Sequence, residues 1–265
     1  LGNILNIDIE TPMFYPEMNF SHHVIGGLDE IWVSPHYWAH KSFSGRINGI
    51  TSKAKICPYV WDSRFIQVNK DIYQHRIAPP YSFTVMEPNI SFQKNSFFPI
   101  MMVEALFKKS PHLVQDCVVI NGDKFKNNPF FAQNILPELE IFKAGKLHLL
   151  PRADVITVSK HLNNHILLQH TVNNEYNYSF LEHMYMGFPV IHNFSCFKEY
   201  GYYYENNNLD SAIAAIEDVI TNHILRKEIY KTQSQELCWR FSPYNSENQK
   251  AWLKLIDDAV PLKIE

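Results

Sequence analysis

The stretch NNEYNYSFLEHMYMGFPVIHN, Asn173–Asn193, decides the reading of this chain. A helix begun at Asn177 sets Leu181, Met184, Tyr185 and Phe188 at i, i+3, i+4 and i+7. That spacing predicts an apolar stripe packed on a core. Gly187 stops the helix, and FPVIHN behind it has the length and β-branching of a buried strand. Glu182 lies off the stripe, on a face shared with Tyr178 and Glu175 near the helix start. Two readings of Glu182 stay open at this level. It is a solvated charge on an amphipathic helix, or a carboxylate one turn inside a helix N-terminus, accepting hydrogen bonds from two ribose hydroxyls. The helix start itself, with unpaired N–H groups and the positive dipole end, attracts phosphate.

Working outward, strand-like and helix-like segments alternate. From Leu1 to about Pro79 the chain gives short strands separated by loops, with LDEIWVS (Leu28–Ser34) and KAKICPYV (Lys53–Val60) rich in Ile and Val. A helix fits between them, although SFSGRINGI is a poor helix former. RIAPPYS (Arg76–Ser82) is a linker, because its two prolines fix an extended path and withhold two N–H donors. Then follow a strand in YSFTVME, a helix in FFPIMMVEALFKKS with Pro99 in its first turn, and a strand in DCVVING. PFFAQNILPELEIFKAG reads as a broken helix, KLHLLP and ADVITVS as strands, and LDSAIAAIEDVITNHILRKEIYKTQSQELCWRF as one long helical stretch. This order predicts an α/β fold whose parallel sheet is covered on both faces. Ligands bind such sheets at the carboxyl ends of the strands. Three segments are expected there: Glu87–Ser96, Asn121–Lys124 and Asn173–Tyr178.

Composition narrows the function classes. The chain has 265 residues, 46% of them hydrophobic and 19% charged, which suits a globular protein with a substantial core. The net charge of −3, without a long basic run, gives no reason to expect a nucleic-acid partner. Cys57, Cys117, Cys196 and Cys238 are far apart and form no CxxC pair, so they read as reduced, buried thiols. No HExxH motif or zinc-like spacing occurs, and no metal is expected. The longest apolar run, FFPIMMVEALF, is short for a membrane span and interrupted by Pro99 and Glu104. No P-loop, GxGxxG or Ser-His-Asp order is present, and nine glycines are few for a dinucleotide-binding fold.

The candidate residues cluster in the predicted loops. Lys94 precedes a helix, where its ammonium would add to the field around a diphosphate, with Asn89 and Ser91 as short polar groups beside it. A solvated loop lysine is the plainer alternative. Arg152, read as preceding the ADVITVS strand, would lie at the opposite end from Lys94. His22, His23 and His36 in the first part of the chain are candidates for a general base or a hydroxyl-binding group.

NNEYNYSFLEHMYMGFPVIHN resembles the nucleotide-sugar motif of the GT-B glycosyltransferases, in which an acidic residue precedes a second Glu, a small-residue turn and a Pro-Val-Ile strand. LDEIWVSPHY followed by ICPYVWDSRF resembles the last strands of a GT-B N-terminal domain and its passage into the linker. MEPNISFQKNS resembles the first loop of the C-terminal domain, and FSPYNSENQKAWL the helix that crosses back. EPNISFQKNS, PYVWDSRF and GYYY are similar to phrases of a GT-B-like domain family of unknown function from bacteria and large viruses.

The resemblance implies two Rossmann-like parallel-sheet domains, the N-terminal one short or incomplete. It divides the chain into an acceptor-side part over 1–79, a nucleotide-sugar part over 80–243 and a closing helix over 244–265. It implies a hexosyl or deoxyhexosyl transferase acting in polysaccharide biosynthesis, from a nucleoside diphosphate sugar to a glycan or other hydroxyl acceptor. Transfer would be metal-independent and retaining, without a cofactor beyond the co-substrate, a UDP-sugar being expected over a GDP-sugar. Lys94 and the helix start at Asn177 and Tyr178 would hold the diphosphate, Glu182 the ribose, and Asn173, Asn174 or Glu175 the donor sugar. Lys94, His22 and His23 would be the catalytic groups.

Two departures stand out. Retaining members carry a Glu eight positions before the second one; that position is Asn174 here, with Glu175 one residue later. About sixty residues precede PYVWDSRF, roughly half of what the resemblance implies for an N-terminal domain, so the acceptor site is expected to be small or completed by a preceding part of a larger polypeptide, and the opening GNILNIDIE resembles the middle of such a domain. A cytoplasmic location is expected, the host cytoplasm if the Asn- and Lys-rich chain is viral. A non-catalytic carbohydrate- or partner-binding module and a nucleotide-sugar epimerase remain alternatives.

Overall fold

The computed structural model describes Glu10, Met13 and residues 27–66, 77–162 and 164–259. Among them the strands are β1 Ile31–Val33, β2 Ala54–Ile56, β3 Tyr81–Val85, β4 Val114–Ile120, β5 Leu147–Leu150, β6 His165–Gln169, β7 Val190–His192 and β8 Tyr202–Tyr203. The helices are α1 His40–Ile47, α2 Phe97–Lys109, α3 Asp123–Lys126, α4 Glu140–Lys143, α5 Val155–His161, α6 Tyr178–Met186, α7 Leu209–Asn222, α8 Lys227–Phe241 and α9 Ser246–Ala259. The chain divides into two compact units, one formed by Leu1–Asp62 with Cys238–Glu265, the other by Ser63–Leu237.

In the first unit β1 and β2 pair in parallel, with Ile31 opposite Ala54, and α1 lies between them in sequence. Ile31 and Val33 point inward and form a small core with Tyr37 and Ala54. Trp32 alternates to the other face, where its indole N–H donates to Glu30 Oε2 at 2.8 Å and its ring meets Trp252 of α9 edge-on at 5.6 Å. Trp61 N–H donates to the Phe241 carbonyl at 2.9 Å, which ties the end of α8 into this unit.

The second unit is a six-stranded sheet in the order β5-β4-β3-β6-β7-β8, and every pairing is parallel. Both faces are covered, so every residue of β3 and β6 is buried, Ser82 and Thr84 of β3 and His165 and Gln169 of β6 included. Phe83, Val85, Ile166, Leu167, Leu168, Val190 and Ile191 have no solvent exposure. Burying each such side chain stabilises the fold by about 1.5–3 kcal/mol. Successive strands run outward from β3 in one direction and from β6 in the other. The order therefore reverses between β3 and β6, the kind of point at which open parallel sheets bind ligands beyond the carboxyl ends of their strands.

Two elements differ from the sequence reading. ADVITVS is not a strand but the start of α5: the Asp154 side chain accepts hydrogen bonds from Thr157 N–H at 2.9 Å and Thr157 Oγ–H at 2.8 Å. The cap outweighs the β-branched run, and Val158 packs on Val118 and Ile120 of β4. The strand is instead HILLQ, β6, which the reading passed over. Arg152 consequently follows the carboxyl end of β5 rather than preceding a strand. The long stretch from Leu209 is also two helices, α7 and α8, interrupted at His223–Arg226.

Candidate functional site

Asn177 starts α6 by accepting from Ser179 N–H at 3.0 Å and Ser179 Oγ–H at 2.9 Å. Gly187 ends it with φ 78°, a left-handed turn that lets its N–H reach His183 O and Met184 O. The buried face is wider than the predicted stripe: Phe180, Leu181, His183, Met184 and Met186 are buried, and Tyr185 is only half-buried. His183 is there because its Nδ1 lies 2.7 Å from Ser179 O and its Nε2 meets His165 at 3.0 Å.

Glu182 lies off this face, as its spacing indicates, yet it is half-buried. Burial foremost, with the Asp154 charge second, pushes its carboxyl up to about 7. Asp154 belongs to the α5 cap, and α5 packs against α6.

The loop after β3 is fastened to the loop after β6. Ser91 and Lys94 bridge each other across a tight turn, and Lys94 bridges in turn to Thr171. Val172 N–H donates to Gln93 O at 3.0 Å. Thr171 is held from its other side by Asn193, whose Oδ1 accepts from Thr171 N–H at 3.0 Å and whose Nδ2 donates to Thr171 O at 2.8 Å. Lys94 thus sits beside the segment that leads into α6. It is half-buried, and burial lowers its pKa against the opposing pull of Glu87.

The remaining candidates divide. Asn89, with φ 52°, spends its side chain inside the loop: Oδ1 accepts from Ser96 N–H at 2.7 Å and Ser96 Oγ–H at 3.0 Å, and Nδ2 donates to Asn121 O at 3.0 Å. Ser91 is buried and its hydroxyl has no hydrogen-bond partner among the described residues. Asn173 is exposed, with φ 51°, and Asn174 is buried. Glu175 turns to the segment after β7, where it accepts from Ser195 N–H at 2.8 Å, Ser195 Oγ–H at 2.7 Å and Cys196 N–H at 3.2 Å. Burial pulls its carboxyl upward, but the bonds from Cys196 and Ser195 prevail and hold it below the ordinary value. Tyr178 is exposed at the helix start. His36, in the first unit, lies against Tyr37 with 3.6 Å between ring centroids and the rings tilted at 43°. His22 and His23 lie outside the described residues.

Sequence reasoning did not single out Glu87. It is fully buried at the end of β3, and neither carboxylate oxygen has a hydrogen-bond partner among the described residues. Gln93 Oε1 and Thr171 Oγ1 are buried nearby in the same condition. Buried polar atoms are nearly always hydrogen-bonded, so a concentration of exceptions calls for a polar partner, water or ligand, at this place. The sequence signal of Glu87 was a charged residue two places after the YSFTV strand. Among the described residues no group of His, Cys, Asp or Glu is arranged to hold a metal ion, and no helix is long and apolar enough to cross a membrane.

A family model described as "Protein of unknown function (DUF2827)" matches residues 1–256. The chain belongs to this family. No curated protein matches the DUF2827 chain in sequence. Among solved structures, S. aureus TarM, in complex with UDP, alpha-GlcNAc-glycerol and Fondaparinux, is similar with a TM-score of 0.57 and 14% identity, over 87% of this chain and 44% of TarM. Anabaena HepE in complex with UDP-glucose gives 0.59 and 14%, over 84% of this chain and 64% of HepE. Trehalose-6-phosphate synthase OtsA gives 0.57 and 11%, over 77% of this chain and 51% of OtsA. These are GT-B glycosyltransferases, and the DUF2827 chain has a GT-B-like fold of parallel-sheet α/β units. It spans less than two-thirds of the length of each of the three.

Proposed function

We propose that this protein is a glycosyltransferase that binds a nucleoside diphosphate sugar beyond the carboxyl ends of β3 and β6 and transfers the sugar to a glycan or other hydroxyl acceptor. The observation that carries the reading is the Lys94–Thr171 bridge, which sets a basic loop beside the segment leading into α6 at the point where the strand order reverses. The Lys94 ammonium and the α6 N-terminus would stabilise the charge that develops on the departing diphosphate. Glu182, half-buried one turn inside α6 and without a hydrogen-bond partner among the described residues, would accept from the ribose hydroxyls. The transfer is proposed to need no metal, because the lysine and the helix do a cation's work, and to retain anomeric configuration. UDP is the favoured nucleotide, in keeping with the UDP and UDP-glucose bound to the TarM and HepE structures.

Thermal melting of the protein with UDP-, GDP- and ADP-sugars tests the reading, since a ligand of the native state alone raises the melting temperature. One of them is expected to do so in the wild type, and Lys94→Ala and Glu182→Ala to weaken that binding at least tenfold. Full affinity in both variants would sink the assignment.

A second reading has one specific observation behind it. Asn174 stands where a carboxylate is expected, and the neighbouring Glu175 is committed to Ser195 and Cys196. A module that binds the donor without turning it over fits that arrangement. Slow hydrolysis of the bound nucleotide sugar in the absence of acceptor distinguishes the enzyme from the module.

A further inference from the structure

This inference rests on the donor-binding reading above. Glu87 is a carboxylate sealed at the carboxyl end of β3, with no hydrogen bond to either oxygen among the described residues. An isolated buried carboxylate is costly, and it persists as an ion only beside a compensating charge. Lys94, on the same loop, is the charge that acts on it, through space and without a hydrogen bond to either oxygen. The groups facing Glu87 from other elements do not compete for it. Tyr204, after β8, feels the Glu87 charge, and its hydroxyl donates to Gln169 O at 3.1 Å and lies 2.8 Å from His170 Nδ1. His170, at the end of β6, is neutral because burial lowers it to about 4. Lys124 of α3 directs its ammonium to the Pro88 carbonyl at 2.8 Å.

We propose that Glu87 is a positioning residue for Lys94: it is the ammonium's counter-ion in the free protein, and it takes up a proton when the donor's diphosphate draws the ammonium away. The balance is simple. Lys94 keeps its three protons, the diphosphate gains the cation, and one proton passes from bulk water to the Glu87 carboxylate. Burial already holds Glu87 at about 7 against the pull of Lys94. Weakening that pull and bringing in an anion both push it higher. Donor binding therefore consumes protons, and affinity falls as the pH rises above 7.

Isothermal titration of the full 265-residue chain at pH 7.5, in buffers of different ionisation enthalpy, counts the protons directly. The probes are UDP-glucose, GDP-mannose and ADP-glucose, whose diphosphate diesters carry no group titrating near neutrality. For whichever binds, Glu87 is expected to take up about three-quarters of a proton, the ionised fraction at pH 7.5 of a group at about 7, and Glu182 to release about one-quarter as the ribose holds it ionised, a net uptake of about half a proton. Its affinity is expected to fall by up to about tenfold per pH unit above 7. Glu87→Gln should lose the uptake and keep only the small release from Glu182, so that its affinity no longer falls as the pH rises above 7, and Glu87→Asp should keep the uptake. Binding by the wild type without proton uptake overturns the proposal and leaves the donor reading standing, even if the Gln variant fails to fold. Uptake that persists unchanged in Glu87→Gln also overturns it. Binding of none of the three probes overturns the donor reading itself, and this proposal with it.

Discussion

Glu182 and Glu175 are seven residues apart and have opposite relations to pH. Glu182 is raised to about 7 from the ordinary 4.5, so the native state binds that proton more tightly than the unfolded chain. Its contribution is best at pH values below about 4.5 and is lost as the pH climbs through 7. Glu182→Gln is therefore expected to melt at a higher temperature than the wild type at pH 8 and at an equal one at pH 4, while binding donor more weakly. Paired thermal melts in the two buffers check this, and the trade of stability for binding is common at functional sites. Glu175 is held below 4.5, so its contribution is present above that value and lost as the pH falls through the native one. Removing its three hydrogen bonds with Glu175→Ala is expected to cost about 1–3 kcal/mol in denaturant unfolding at pH 7. Lys94 and Glu182 were legible in the sequence because each stands at a fixed offset from a helix start. Glu87 was not, because its burial is a property of the folded unit that no residue next to it in the chain announces.

Among the elements, α5 and β6 show where periodicity fails. VITVS has strand-forming residues, and only Asp154, placed three residues before Thr157, marks a helix start. HILLQ is flanked by Asn and His rather than by Gly or Pro, so nothing local announces a strand; its partners β3 and β7 do. The Asp154 cap allows a clean separation of two roles. Asp154→Ala is expected to cost about 0.5–2 kcal/mol, whereas Asp154→Asn, an equally good cap, should cost a few tenths. Both substitutions remove the charge that helps raise Glu182, so both should move its titration downward, a shift that NMR of the Glu182 carboxyl would report. If the Ala and Asn variants melt alike, the side chain is not capping the helix.

For the molecule as a whole, stability is concentrated in the parallel sheet. Phe83 of β3 is fully buried, and Phe83→Ala is expected to cost about 3–5 kcal/mol, read as a lowered denaturant midpoint. The alternation of strands and helices made this architecture legible, since that order builds a parallel sheet with helices on both faces. The strand order was less so: an order that reverses between β3 and β6 is a matter of which neighbours pair, and pairing leaves no mark on a single strand. What the reversal creates is a seam, and the seam is stitched: Lys94 to Thr171, Gln93 to Val172, Thr171 to Asn193. Its consequence is kinetic. These bonds are in place before any ligand arrives, so nucleotide association need not wait for the two loops to find each other. In stopped-flow mixing the observed rate should rise linearly with nucleotide concentration and show no plateau. Differences between good and poor nucleotides should then lie in how fast they leave.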